Sequence, residues 1–376
     1  YYEDLTNEKP KQFPIQNDRL AVATATDFKK IPGLPISYWV SEKIFNIFNE
    51  DKLDSYLFSE GPCKTGNDDQ YLRIYWEVKA SDISPNDTWC LCSKGGEFRK
   101  YYGNIEYVIK WDTESKNHYK SDKIARITTE RVRDREGITW SIISSKTQYS
   151  FRLLPHYAQF NSVSPTLFEI NSRLGNKYYL AFLNSALSNK LLLILNPTLA
   201  LNVSNVLSLP IKEVNNIVEK NTEILLLLSK NDWDSYETSW DFTDLPLLKS
   251  EFRQPSIKKT FQSLRTHWQE MTMEMQRLEE ENNRIFIEAY GLQDELTPDV
   301  PINEITLTCN PYYRYGNGYS EDELEARLLL DTINEFISYA VGCMFGRYSL
   351  DQEGLAFAGG DFEPARYRTF PADKDN

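Results

Sequence analysis

Residues 257–292 read IKKTFQSLRTHWQEMTMEMQRLEEENNRIFIEAYGL. Within them Ile257, Phe261, Leu264, Trp268, Met271, Met275, Leu278, Asn282, Ile285, Ala289 and Leu292 are separated alternately by four and three positions. That alternation stacks side chains along a single face of an α-helix. The stretch is therefore expected to be one continuous helix, about 54 Å long at about 1.5 Å per residue. Asn282 interrupts the stripe, either fixing the register between helices or bonded within its own domain. A stripe of this length reads first as a helix packed in its own bundle, ahead of a coiled coil between chains.

The preceding sequence has another period. Tyr71–Val78, Thr88–Cys92, Glu106–Trp111 and Ile138–Ile143 are rich in β-branched and aromatic residues and are punctuated by Gly and Asn, which predicts strands. Lys177–Leu195 repeats its apolar positions at helical spacing until Pro197, and Pro35–Phe48 reads as a short amphipathic helix carrying Trp39, Ile44 and Phe48. After Pro210 the chain turns helical. A final helix, Glu321–Phe345, starts behind Ser320 with Glu323 three positions on, a capping box. The expectation is an α+β protein: a linker over 1–30, a β-rich domain over 31–210, a helical spacer over 211–295 and a small helical segment over 296–376.

Composition narrows the function classes. The 376 residues are 41% hydrophobic and 26% charged, with a net charge of −13, which are globular values. The longest apolar stretch, around Leu191–Leu195, is far short of the roughly 20 residues a bilayer span needs. The first residues carry neither a Met nor a signal pattern, so the expectation is a cytoplasmic chain or a piece of one. Cys63, Cys90, Cys92, Cys309 and Cys343 form no CxxC pair, and His118, His156 and His267 are scattered, so neither a disulfide framework nor a zinc site is expected.

Net acidity argues against a nucleic-acid partner only if it is evenly spread. It is not. Residues 1–60 hold 7 basic and 10 acidic side chains, residues 61–210 hold 19 and 14, and residues 211–376 hold 16 and 31. The middle block includes Lys94, Arg99, Lys100, Lys110, Lys116, Lys120, Lys123, Arg126, Arg131, Arg133, Arg135, Lys146 and Arg152, interleaved with Tyr101, Tyr102, Tyr107, Trp111 and Trp140. Such a mixture suits phosphate contacts with base or sugar stacking, and equally a solvated face of mixed charge.

Three motifs bear on chemistry. Asn310-Pro-Tyr-Tyr is similar to the (Asp/Asn/Ser)-Pro-Pro-(Tyr/Phe) loop of amino-methyltransferases, but Tyr312 replaces the second Pro and no Gly-rich cofactor loop precedes it, so it reads as a loop. Gly61-Pro-Cys-Lys-Thr-Gly-Asn-Asp-Asp lacks the ending of a P-loop and no helix is expected after it. Gly66 and Asn67 are expected to make a tight turn that leaves Lys64 and Thr65 free to donate to a phosphate or a base edge. Lys94-Gly-Gly-Glu-Phe-Arg-Lys-Tyr-Tyr-Gly-Asn is either a flexible hairpin loop or a clamp whose glycines let a nucleic-acid backbone approach. No Ser/His/Asp or Cys/His constellation stands out. The acidic pairs Asp68-Asp69 and Asp232/Asp234 are of a kind expected by chance in an acidic chain.

Taken in order, several strings resemble the C-terminal part of the PglX family, the adenine-specific DNA methyltransferases of BREX phage-defence systems. They are Ile31-Pro-Gly-Leu-Pro-Ile-Ser-Tyr-Trp-Val-Ser-Glu, Gly61-x-x-x-Thr-Gly-Asn-Asp, the Lys94–Asn104 string, Gly137-Ile-Thr-Trp-Ser, Leu183-Asn-Ser, Leu195-Asn-Pro-Thr-Leu, Trp233-Asp-Ser-Tyr-Glu-Thr-Ser-Trp-Asp-Phe, Asn283–Leu296 and Ser338–Asp351. The likeness runs from about residue 28 to residue 360. A β-rich recognition domain followed by long helices is also similar to type I specificity subunits and TaqI-like C-terminal domains. The resemblance implies a target-recognition and helical portion of a longer methyltransferase, with S-adenosylmethionine and the catalytic loop in an upstream domain. The implied partners are double-stranded DNA, that methyltransferase domain and other BREX proteins, with no membrane. Pro62 and Cys63 depart from the family pattern, and the target bases do not carry over.

On this reading the expected DNA contacts are Lys64, Thr65, Asn67, Lys94, Arg99, Lys100, Tyr101, Tyr102, Asn104, Arg126, Arg131, Arg133 and Arg135. The first three Arg and Lys of the 94–104 loop, with Arg131, Arg133 and Arg135, are the best phosphate contacts, and Tyr101, Tyr102, Asn104 and Asn67 are candidates for bases or sugars. No catalytic residue and no metal ligand is assigned. Two other classes stay open: an assembly scaffold docking defence proteins through the heptad helix and the acidic end, and an enzyme with its own site at Asn310.

Overall fold

A computed structural model describes residue 32 and residues 40–372, apart from 85, 144–147, 172, 197 and 359–361. Lys146, Pro197 and the Pro35–Trp39 part of the first expected helix lie outside the described residues. The rest of that helix is α1 (Glu42–Ile47), capped by the Ser41 hydroxyl, which accepts from the Ile44 amide.

The strands follow in two interleaved sheets. They are β1 (Leu57–Phe58), then after the single turn α2 (Asp68–Tyr71), β2 (Leu72–Ile74), β3 (Trp89–Ser93) and β4 (Tyr107–Lys110). Helix α3 (Thr113–Ser121) separates these from β5 (Gly137–Trp140), β6 (Phe151–Leu154), β7 (Ala158–Phe160) and β8 (Thr166–Glu169). One sheet runs β1-β8-β5-β6, entirely antiparallel; the other runs β2-β4-β3-β7, parallel between β3 and β7. The run expected to be a strand over 71–78 is three strand residues followed by a 3-10 turn over Tyr75–Glu77. A turn of helix, α2, does follow the Gly61–Asn67 segment, contrary to expectation, because Asn67 leaves the chain extended and the Tyr71 amide bonds back to its carbonyl.

The apolar run over 177–195 is two helices, α4 (Gly175–Leu183) and α5 (Ala186–Leu195), meeting at 66°. The break falls where Ser185 stops one helix and caps the next, its hydroxyl accepting from the Ser188 amide. Among the described residues no single helix is long and apolar enough to cross a membrane. Helices α6 (Val203–Leu207), α7 (Ile217–Trp233), α8 (Ile257–Ala289), α9 (Pro311–Tyr315) and α10 (Glu321–Met344) follow, then a small hairpin of β9 (Tyr348–Ser349) and β10 (Gln352–Leu355). The capping box at Ser320 and Glu323 is present. The chain is α+β.

Helix α8 is continuous over 33 residues, as the heptad spacing requires. Its buried stripe follows Phe261, Leu264, Trp268, Met275, Leu278 and Asn282, but then passes to Phe286 and Ile287 while Ala289 is exposed. A straight helix drifts about 20° per heptad relative to a seven-residue repeat, and that drift carries the stripe off its expected positions. Asn282 accepts a 3.0 Å hydrogen bond from the Asn221 amide of α7, so it is bonded within its own bundle.

The largest core joins the sheet carrying β5 and β6 to α4, α5, α7 and α8, with Tyr178, Phe182, Phe286 and Tyr290 interlocking as an aromatic cluster. Because that core takes residues from both sides of position 210, the change from strands to helices there is no break in packing. Smaller cores lie beside the second sheet, one holding Cys63, Cys90 and Cys92 with Trp111 and Tyr119. Burial pushes the thiols of Cys63 and Cys90 up to about 12, which leaves them apolar filling.

Candidate nucleic-acid interface

The loop between β3 and β4 holds six of the thirteen expected contacts. It does not face outward. Tyr101 and Asn104 take left-handed backbone angles, φ 66° and 60°, and with Gly95, Gly96 and Gly103 they fold the loop back on itself. At Gly103 a side chain would meet Arg99 at 2.6 Å and Trp233 at 2.9 Å, so glycine lets the loop close against α7.

Arg99 and Lys100 of this loop are buried in a seam with the helices. The Arg99 guanidinium donates to Asp232 (3.2 Å), to the Thr306 carbonyl (3.4 Å) and to the Thr308 hydroxyl (2.7 Å), and its face lies 5.0 Å from the Trp233 ring. Asp232 is itself held by the Thr308 and Cys309 amides. Lys100 donates to Glu279 of α8 at 2.7 Å, with both side chains buried. Burial raises the Glu279 carboxyl above the usual range, and Lys100 opposes the shift. Tyr101 is buried with its hydroxyl against Glu279; Tyr102 is buried and donates to Tyr157; Asn104 is buried and donates to the Glu97 carbonyl at 2.9 Å. The expected placement of Arg99, Lys100, Tyr101, Tyr102 and Asn104 at a nucleic-acid surface is therefore corrected. Arg99, Lys100 and Tyr101 join the β-rich half to the helices, and Tyr102 and Asn104 bond within the β-rich half.

Arg152 lies beneath the same loop, fully buried. It donates to the Gly95 and Arg99 carbonyls and the Ser141 hydroxyl, with Nε unpartnered and no carboxylate paired with it among the described residues. Burial, with the neighbouring Arg99 charge, lowers it to about 10.

The other expected contacts fall on two surfaces. At one edge the backbones of Lys64 and Arg126 pair as a two-residue ladder (2.8 and 2.9 Å), so the segment before α2 lies against the loop after α3. Asp122 shapes that loop by accepting from the Ile124 and Ala125 amides. Lys64, Asn67 and Arg126 are exposed here, and so is Lys123 of the same loop, while Lys120 is exposed on α3; neither lysine is among the expected contacts. Among the described residues, none of Lys64, Lys123 and Arg126 is in an ion pair. Thr65 is buried, its hydroxyl donating to Asp68 and its carbonyl accepting from His118. Lys94 is half-buried, paired with Asp68 at 2.7 Å beneath the same edge.

The second surface is the turn before β5. Arg131 is exposed, 3.7 Å above the Phe58 ring and 3.3 Å from Glu60. Arg133 and Arg135 are turned back on the chain, donating to the Thr128 and Glu169 carbonyls respectively. They brace the turn, and Arg131 faces solvent.

Asn310 is buried at the start of α9. Its amide donates to the Ile302 and Ile305 carbonyls (2.8 and 2.9 Å) and its oxygen accepts from the Tyr312 amide. Each polar group of the motif's leading side chain is used inside the fold. No group of three or more metal-ligating side chains occurs among the described residues.

No protein-family model matches the chain. It is 36% identical over a 405-residue alignment to the adenine-specific methyltransferase PglX of Lacticaseibacillus casei strain Zhang, which covers 99% of this chain and 32% of that protein. It is 33% identical over 361 residues to the adenine-specific methyltransferase BrxX of Escherichia coli O9:H4 strain HS, covering 93% of this chain and 29% of that protein. Among solved structures, the type IIL restriction-modification enzyme MmeI in complex with DNA overlays on 66% of this chain and 34% of its own, with a TM-score of 0.37 and 11% identity, too loose a match to bear on function. The chain spans about a third of the length of the curated relatives it matches, and it is homologous to a C-terminal part of the PglX and BrxX adenine-specific methyltransferases.

Proposed function

We propose that this chain is the double-stranded DNA recognition portion of a site-specific adenine N6 DNA methyltransferase of the BREX phage-defence type. The catalytic domain elsewhere in the parent protein binds S-adenosylmethionine, extrudes the adenine and transfers the methyl group. The observation that carries the reading is the edge where Lys64, Lys123 and Arg126 stand exposed beside Asn67, in no ion pair among the described residues, on the half of the chain with excess positive charge. Exposed cations without an ion-pair partner keep their full charge for phosphates and release counterions on contact. Asn67 offers both a donor and an acceptor for a base edge. Arg131 extends the phosphate path to the turn before β5, and Lys94 and Thr65 hold the edge in shape from below.

The test replaces Lys64, Arg126 and Arg131 together by Ala in the intact parent methyltransferase and measures duplex affinity across a salt series. Affinity is expected to fall, and the slope of log K against log salt to become shallower by about one for each lost phosphate contact. Unchanged affinity and slope would overturn the recognition reading.

A further inference from the structure

The loop after α3 presents an apolar side chain at the basic edge. Ile124 is 73% exposed, between the exposed cations Lys123 and Arg126, while Ala125 and Ile127 pack against the core that holds Cys63, Trp111 and Tyr119. Single exposed apolar residues are ordinary. This one is held in place. Asp122 accepts from the Ile124 amide at 2.7 Å and from the Ala125 amide at 2.8 Å, and the Lys64–Arg126 ladder ties down the far side of the turn. A side chain on a backbone fixed at both sides has little freedom left to lose when it is covered.

Asn67 stands on the adjoining segment. The two segments run antiparallel from the Lys64–Arg126 bridge, and a Cβ on Gly66 would lie 3.3 Å from both Ala125 Cβ and Asp122 Oδ1. Gly66, at φ 76°, thus brings Asn67 alongside the turn that carries Ile124. Asn67 also precedes α2, a position at which an Asn side chain ordinarily caps the first helical amides. It makes no such bond, so its exposed amide keeps a donor and an acceptor side by side.

Charge and chemistry together select the occupant. Lys64, Lys123 and Arg126 surround the pair and are in no ion pair among the described residues, which suits a polyanion. On a duplex, an amide of this kind matches N7 and N6 of adenine in the major groove, and an aliphatic side chain matches the 5-methyl group of thymine. Those atoms belong to one base pair and lie in the same groove.

We infer that Asn67 and Ile124 together read an A·T base pair. The Asn67 NH2 donates to adenine N7, its Oδ1 accepts from the adenine N6 amino group, and Ile124 covers the thymine methyl. The inference rests on the DNA-recognition reading and adds to it the base pair and the atoms that are read.

The parent methyltransferase is used to select duplexes from a randomised pool, and the tightest binder is resynthesised with single replacements of thymine by uracil and of adenine by 7-deazaadenine. One thymine is expected to lose about fourfold in affinity with its methyl group, and the adenine opposite it about fivefold with its N7. Ile124→Ala should abolish the difference between thymine and uracil at that position and keep the adenine effect, and Asn67→Ala should do the reverse. Neither residue meets a phosphate, so both variants keep the parent's salt slope, and an unchanged melting temperature verifies their fold. If either variant retains the discrimination assigned to its residue, or the sensitive thymine and adenine lie in different base pairs, the inference is overturned while the recognition reading stands. If the parent selects no duplex, the recognition reading falls and this inference with it.

Discussion

Lys100 sits where a duplex-contacting loop was expected and donates instead to a glutamate 179 positions further along the chain. A buried ion pair of this kind is dispensable as a unit and costly to halve. Lys100→Met is therefore expected to lower unfolding free energy by about 3–5 kcal/mol near neutral pH, because Glu279 is left buried without its counter-charge. Burial already holds the Glu279 carboxyl above its unfolded value, and losing Lys100 raises it further. A carboxyl whose folded pKa is raised binds its proton more readily in the folded state, so stability from this group falls as pH rises through the window above about 4.3. The deficit of the variant should thus be larger at about pH 7.5 than at about pH 5 in denaturant melts. A deficit independent of pH would count against the assignment. Nothing local announces this role: a Lys next to Arg99 and two tyrosines reads the same way at a surface and in a seam.

At the scale of elements, legibility followed the range of the interactions. The heptad spacing of α8, the capping box of α10 and the strands β3, β4 and β5 were readable because they depend on neighbours three or four positions away or on runs of β-branched and aromatic residues, whereas β1, β6, β7 and β8 carried no such signal. The break between α4 and α5 was hidden by continuous apolar periodicity through a serine that works equally well inside a helix or as a cap. The pairing of α7 with α8 allows a sharper test. Asn282→Leu alone leaves the Asn221 amide buried without its acceptor and is expected to cost about 1–3 kcal/mol. Adding Asn221→Leu removes the orphaned group and should recover most of that loss. A double-mutant cycle by equilibrium denaturation measures it, and additive losses would mean the two side chains act independently.

Over the whole molecule, the net charge of −13 divides into a β-rich half with spare cations and a helical half dominated by carboxylates. Composition alone foretold this partition, but not which cations would be spare. Arg99 and Lys100 are taken up by Asp232 and Glu279, whereas Lys120 and Lys123 are exposed. The division predicts an orientation. Photo-crosslinks from a duplex bound to the parent protein are expected to map to residues 61–135 and to spare α8 and α10. Crosslinks concentrated on the helices would reverse the assignment.

The seam formed by the loop after β3 has a consequence for domain grafting. Its anchor points Asp232, Glu279, Thr306 and Thr308 all lie beyond the β-rich half. A chimera that exchanges residues 40–210 alone would thus join a donor's loop to a recipient's sockets. Unless donor and recipient agree at those four positions, the hybrid begins with buried charges facing strangers. A graft that keeps the seam intact carries the sockets with the loop, or exchanges only the outer edge around Lys64 and Arg126, where the proposed DNA contacts lie.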